Sequence, residues 1–155
     1  MDIRIRKAEG EKDLSFMLGL GRRLAAVIET GLHEPAEIQA FQDAFSAVNL
    51  RNPAAGSLSL IAEDSAGIGL GFLHALPGAD GITGRTIGYV ALLAVTEAAE
   101  GTGVAKRLLA SAEDWAREQG YAALSLDVFA SNHRGRLFYE KNGFATETLR
   151  LVKKL

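Results

Sequence analysis

The chain contains no cysteine, so disulfides, thiolate metal ligands and a cysteine nucleophile are excluded together. It has no excess of one charge. Its 17 basic and 19 acidic residues leave a formal net charge of −2, whereas a dedicated nucleic-acid binder shows a basic excess or patch. An anionic ligand is still permitted, because backbone N–H groups at a helix start hold phosphate without net positive charge. No apolar run approaches the ~20 residues of a membrane span. The opening MDIRIRKAEG alternates charge with isoleucine and lacks a signal-peptide core. No nucleic-acid partner, no membrane and a cytoplasmic location are therefore expected. There is no repeat, linker or low-complexity segment.

What is present is apolar material. Of 155 residues, 48% are hydrophobic, enough for a packed core and the usual size of one domain, residues 1–155. Residues 2–7 alternate as a first strand. Leu14, Met17, Leu18, Gly21, Leu24, Ala25 and Ile28 then recur at helical spacing until Thr30-Gly31. A second helix starts at Pro35, with Ile38, Phe41, Phe45 and Val48 as its stripe, and Asn52-Pro53 stops it. Ser57–Glu63 and Ile68–Leu76 read as a hairpin, followed by a glycine-bearing loop over Pro77–Arg85. Thr86–Val95 is apolar almost throughout, as a central strand buried on both faces would be. A strong helix after Gly103 runs to about Gln119 and ends at Gly120. Leu124–Phe129 is a strand, Ser131 or Asn132 caps a short helix through Tyr139, and residues 144–152 form a last strand. The predicted order is βααβββαβαβ in one mixed sheet.

Two segments carry chemistry. In VTEAAEGTGVAK, residues 95–106, two glycines open a helix directly after a buried strand. They leave N–H groups unshielded, and with the helix dipole these suit a pyrophosphate. The segment lacks the Lys-Ser/Thr ending of a P-loop and the three-glycine spacing of a dinucleotide fingerprint. In NHRGRLFYEKNGF, residues 132–144, a helix start is followed by an aromatic pair and a glycine stop. Read alone, each is also compatible with a tight turn or with core packing.

Taken together and in this order, the two segments resemble the GNAT superfamily of N-acetyltransferases. The family's strand, Arg/Gln-x-x-Gly-x-Gly/Ala turn and leucine-rich helix read here as Leu93-Ala94-Val95, Glu100-x-x-Gly103-x-Ala105 and Leu108-Leu109. Its later run reads as Asn132-x-x-Gly135-x-x-Phe138-Tyr139-x-x-x-Gly143-Phe144. The resemblance implies an α/β (α+β) fold: a mixed, mostly antiparallel sheet of six to seven strands flanked by four helices. It implies acetyl-CoA as co-substrate, no metal, and a small-molecule or peptide amine as acceptor. Leu93, Ala94 and Val95 would offer backbone to the pantetheine arm. Gly101, Thr102, Gly103, Val104, Ala105 and Lys106 would surround the pyrophosphate. Asn132 would touch the cofactor arm, and Tyr139 would protonate the leaving thiolate.

Two positions depart from the family. Glu100 stands where Arg or Gln is usual, and its carboxylate is expected to face solvent. Ala91 stands where many relatives carry a Glu on the fourth strand. The general base is therefore unassigned, with His74 and Glu97 as substitutes. The same two departures fit a catalytically silent acyl-CoA-binding module, the reading from a different functional class. His33, Glu34 and Glu37 make the loop between the first helices somewhat acidic, which suits a cationic amine or simply a solvated helix start. The C-terminal pattern LRLVKKL allows a homodimer.

Overall fold

Apolar strand segments build a central sheet, and segments with helical spacing cover both of its faces. In the computed structural model, which describes residues 1–155, strands β1 (Arg4–Lys7), β2 (Leu58–Glu63), β3 (Gly69–Ala79), β4 (Thr86–Val95) and β5 (Leu124–Leu126) form one sheet in that spatial order. The first four pair antiparallel, and β5 pairs parallel with β4. The mixed sheet and the α+β class agree with expectation, but the sheet has five strands rather than six or seven.

Helices α1 (Gly10–Gly19), α2 (Gly21–Ala26) and α3 (Pro35–Arg51) pack on one face of the sheet, and α4 (Val104–Glu118) packs on the other. The apolar stripe read as one helix over 14–28 breaks at Leu20, giving α1 and α2. On the first face, Met17, Leu20, Leu50, Ile61, Phe72, Leu92 and Ala94 form a core of seven residues. On the α4 face, Leu60, Leu73, Val90, Val104, Leu108, Leu109 and Trp115 belong to a larger cluster of 15. Burying a side chain of this kind contributes roughly 1.5–3 kcal/mol. Gly88 permits the close seating of α4, since a Cβ there would lie 2.8 Å from Leu124 Cδ1 and 3.1 Å from the Trp115 ring. Arg6 ties β1, α1 and β2 together, donating to both oxygens of Asp13 (2.6 and 3.0 Å) and to Glu63 (2.8 Å). Both carboxylates are buried, so pairing offsets their desolvation.

The chain ends differently from expectation. β3 continues to Ala79, so the glycine-bearing loop is shorter, and β5 stops at Leu126 rather than Phe129. Helix α5 (His133–Lys141) follows. The strand expected over residues 144–152 does not form. Period-two alternation makes a strand only where a neighbour supplies hydrogen bonds, and residues 145–155 lie exposed along their whole length.

Candidate functional site

The site begins at an irregularity in β4. His74 faces Leu92 across the ladder and Ala75 faces Val90, so Ala91 is an extra residue in β4, a β-bulge. On the other side of β4, pairing with β5 stops at Val90, opposite Leu126. Past that point the strand carries Ala91, Leu92, Leu93, Ala94 and Val95 with no neighbour on its β5 side. An open backbone edge of this kind can take an extended ligand as if it were a strand.

The open edge leads into the glycine turn. A single 3-10 turn, Glu97–Ala99, follows β4, and Gly101 and Gly103 then adopt left-handed conformations with φ of 71° and 87°. A side chain at either position would be strained. The amides of Gly101, Gly103, Val104, Ala105 and Lys106 take no partner in the chain, whereas that of Thr102 bonds Ala99 O at 3.3 Å. The first intrahelical bond is Arg107 N–H to Gly103 O. Five free donors lie at the positive end of a fifteen-residue helix, an arrangement that favours an anion. Of the six positions 101–106 expected to surround a pyrophosphate, five have amides without a partner, and the sixth, Thr102, uses its N–H within the turn.

Glu100 is exposed, as expected, but its carboxylate is not left unpaired. Its carboxylate bridges two guanidiniums, Arg23 from α2 and Arg134 from α5, the latter at 2.7 Å. Arg23 also donates to Val95 O at 2.7 Å. The two arginines hold the Glu100 carboxyl below its ordinary range. The missing positive residue of the turn is thereby supplied from two distant helices, and the cluster carries a net +1.

Helix α5 closes the other side. Asn132 caps it, with Oδ1 accepting from Gly135 N–H at 2.9 Å. Gly135 leaves room for this cap, since a Cβ would lie 2.5 Å from Asn132 Nδ2 and would push the capping side chain aside. The cap spends one side-chain oxygen of Asn132 within the helix. Tyr139 stacks edge-on between Phe138 (5.2 Å) and Phe144 (5.7 Å), and this trio packs against the α4 cluster. Burial alone pushes its phenol up to about 12, so it stays protonated and available as a donor at neutral pH. The Arg134–Glu100 contact brings the start of this helix to the glycine turn.

The two candidate bases are set apart. His74 has no exposed surface. Its Nδ1 lies 2.7 Å from Ser59 Oγ, and its Nε2 has no partner. Burial lowers its pKa to about 4, so the ring is neutral. Glu97 is exposed in the 3-10 turn, as are His33, Glu34 and Glu37 around the α3 start. One pair was not singled out from the sequence. Tyr89 OH donates to Asp127 Oδ2 at 2.8 Å, spanning the gap where β4 and β5 separate. The two residues lie 38 positions apart, and only the β4–β5 register makes them neighbours.

Comparisons with known proteins bear on family and fold. The profile of the acetyltransferase (GNAT) family matches residues 21–144. Two curated relatives come from Bacillus subtilis (strain 168), both named as uncharacterized N-acetyltransferases. YycN is 44% identical over 55 residues, 36% of this chain and 35% of that protein. YhfO is 33% identical over 92 residues, 59% of this chain and 61% of that protein. The matched segments thus span about a third and about three fifths of those relatives' length. A putative acetyl transferase from Pyrococcus furiosus superposes with a TM-score of 0.80 at 21% identity, over 99% of this chain and 100% of that one. AAC(6')-Iy in complex with a bisubstrate analog, CoA-S-monomethyl-acetylneamine, superposes at 0.68 with 21% identity, over 100% and 99%. At these identities the structures speak for the fold.

Proposed function

The chain belongs to the acetyltransferase (GNAT) family, and from that premise we propose that it moves an acetyl group from acetyl-CoA to a primary amine by direct attack. The observation that carries this reading is the junction of β4 and α4. Five unpartnered amides stand at the mouth of α4, a bulged and open β4 edge precedes them, and Tyr139, kept protonated by burial, packs against the same α4 cluster. Acetyl-CoA would lay its diphosphate on the amides of Gly101 and residues 103–106. Its pantetheine arm would lie along Leu93, Ala94 and Val95 and beside Asn132.

A neutral amine nitrogen then attacks the thioester carbonyl carbon. The charge gathering on the carbonyl oxygen is met by a backbone N–H of the bulged segment near Leu93. The C–S bond breaks, and Tyr139 donates its proton to the thiolate. The nitrogen sheds its extra proton and the phenol is restored from solvent. No covalent intermediate on the protein is needed, and holding the two reactants in line supplies most of the acceleration. Glu97 is open to solvent as a proton acceptor. His74 would have to be reached through the core, which makes Glu97 the better placed of the two.

The reading includes a cytoplasmic homodimer. It is supported by the exposed apolar side chains of the C-terminal segment, where Leu149 is 78% and Leu151 90% exposed. Sedimentation velocity reads the mass, and a monomer at high concentration removes the dimer. The test of the activity is thiol release from acetyl-CoA against polyamines, aminoglycosides, amino acids and peptide N-termini. It is paired with calorimetry of CoA. Release that depends on one amine class supports the proposal. The absence of heat with CoA overturns it.

A further inference from the structure

We propose that Asp127, held by Tyr89 and followed two residues on by a Phe129 that packs on Phe41, is the docking site for the acceptor, and that it selects a cationic amine carried on an apolar stem. The position of the pair is the first argument. Asp127 is the first residue after the last β4–β5 partner, and Tyr89 lies one residue before the last paired position of β4 and two before the Ala91 bulge. Their 2.8 Å hydrogen bond therefore sits at the bottom of the separation between the strands.

The side of the sheet is the second argument. Gly88 and Val90 face Trp115 and the α4 cluster, so Tyr89 between them points to the opposite face, where α1 to α3 lie. The α4 side is where the diphosphate cradle opens. An amine docked at Asp127 would approach the open β4 edge from the other side, and the two substrates would not compete for space.

The chemistry of the lining is the third. The Asp127 carboxylate is exposed, and no lysine, arginine or histidine pairs with it. Tyr89 occupies one oxygen and fixes the group. Half-burial and this bond raise the phenol above its ordinary range, so it remains a donor. Two residues on, Phe129 meets Phe41 of α3 edge-on, with ring centroids 6.5 Å apart. The rings are 44% and 51% exposed. The two rings together leave an apolar surface open to water. Their faces attract an ammonium group and cover an apolar stem, while the carboxylate takes the charge.

This inference rests on the acetyl-transfer reading only in naming the bound amine an acceptor. The test therefore uses binding. The CoA-loaded protein is titrated with phenethylamine and with 2-phenylethanol, which has the same stem without the charge, and backbone amide shifts are followed by NMR. The amine should shift residues around 89, 127 and 129 and bind more tightly than the alcohol. Asp127→Asn should weaken the amine about tenfold or more, and Tyr89→Phe roughly threefold, the loss of a charged and of a neutral partner respectively. CoA affinity and thermal midpoint should stay unchanged in both variants. Equal binding of amine and alcohol, no amine binding by the wild type, or an unaltered amine affinity in Asp127→Asn would each overturn the site. Should CoA fail to bind, the acetyl-transfer reading falls, and the same titration of the unloaded chain still decides Asp127.

Discussion

Helices α4 and α5 flank the same groove but are held in opposite ways. α4 buries Val104, Leu108, Leu109, Ala112, Trp115 and Ala116 against the sheet, whereas α5 has no buried residue. α5 is fastened at its ends instead, by the Asn132 cap, the Arg134–Glu100 pair and the Tyr139 aromatic trio. The end of the proposed cofactor path that would take a diphosphate is thus built on a densely packed helix. The end that would take a thiol lies against an element with few apolar anchors, where local opening costs least.

Substitutions can break this contrast. Leu108→Ala should have the largest effect, about 3–5 kcal/mol in urea unfolding, since Leu108 is wholly buried. A second effect comes from the sheet interior, on the face opposite α4. Folded His74 titrates near 4 and an unfolded histidine near 6.5. Between those pH values the unfolded chain binds a proton that the folded chain does not. Stability should therefore be full above about 6.5 and fall by roughly 3 kcal/mol as the pH approaches 4. His74→Leu should remove that slope in acid titrations monitored by circular dichroism. On the α5 side the response should be catalytic. Tyr139→Phe keeps the ring and loses the donor, so turnover should drop ~10²-fold with CoA affinity retained. Unchanged turnover would take the phenol out of the mechanism. The smallest effect belongs to Leu137→Ala, under about 0.5 kcal/mol, because that side chain is 58% exposed. A loss there as large as at Leu108 would end the contrast.

How much of this was legible follows from which interactions are local. β4 over Thr86–Val95 and the α4 stripe were readable, because burial on both faces and helical spacing are written in consecutive residues. The glycine turn and the Asn132 cap were readable for the same reason. The Ala91 bulge was not, since it depends on register with β3. Nor was the break at Leu20, where the apolar stripe runs on through the kink. Residues 144–152 carry a strand pattern without a strand, because no hydrogen-bonding neighbour lies beside them in the chain. Glu100 was read as a solvent-facing departure from the family. Its partners Arg23 and Arg134 stand 77 and 34 positions away, and no spacing rule reaches them.

That three-residue bridge has an evolutionary corollary. Positions 23, 100 and 134 behave as one electrical unit, so a change in any of them alters what the other two can tolerate. An arginine at position 100 beside Arg23 and Arg134 would crowd three like charges at a helix start, so related chains with a basic residue there should lack one or both of the other two.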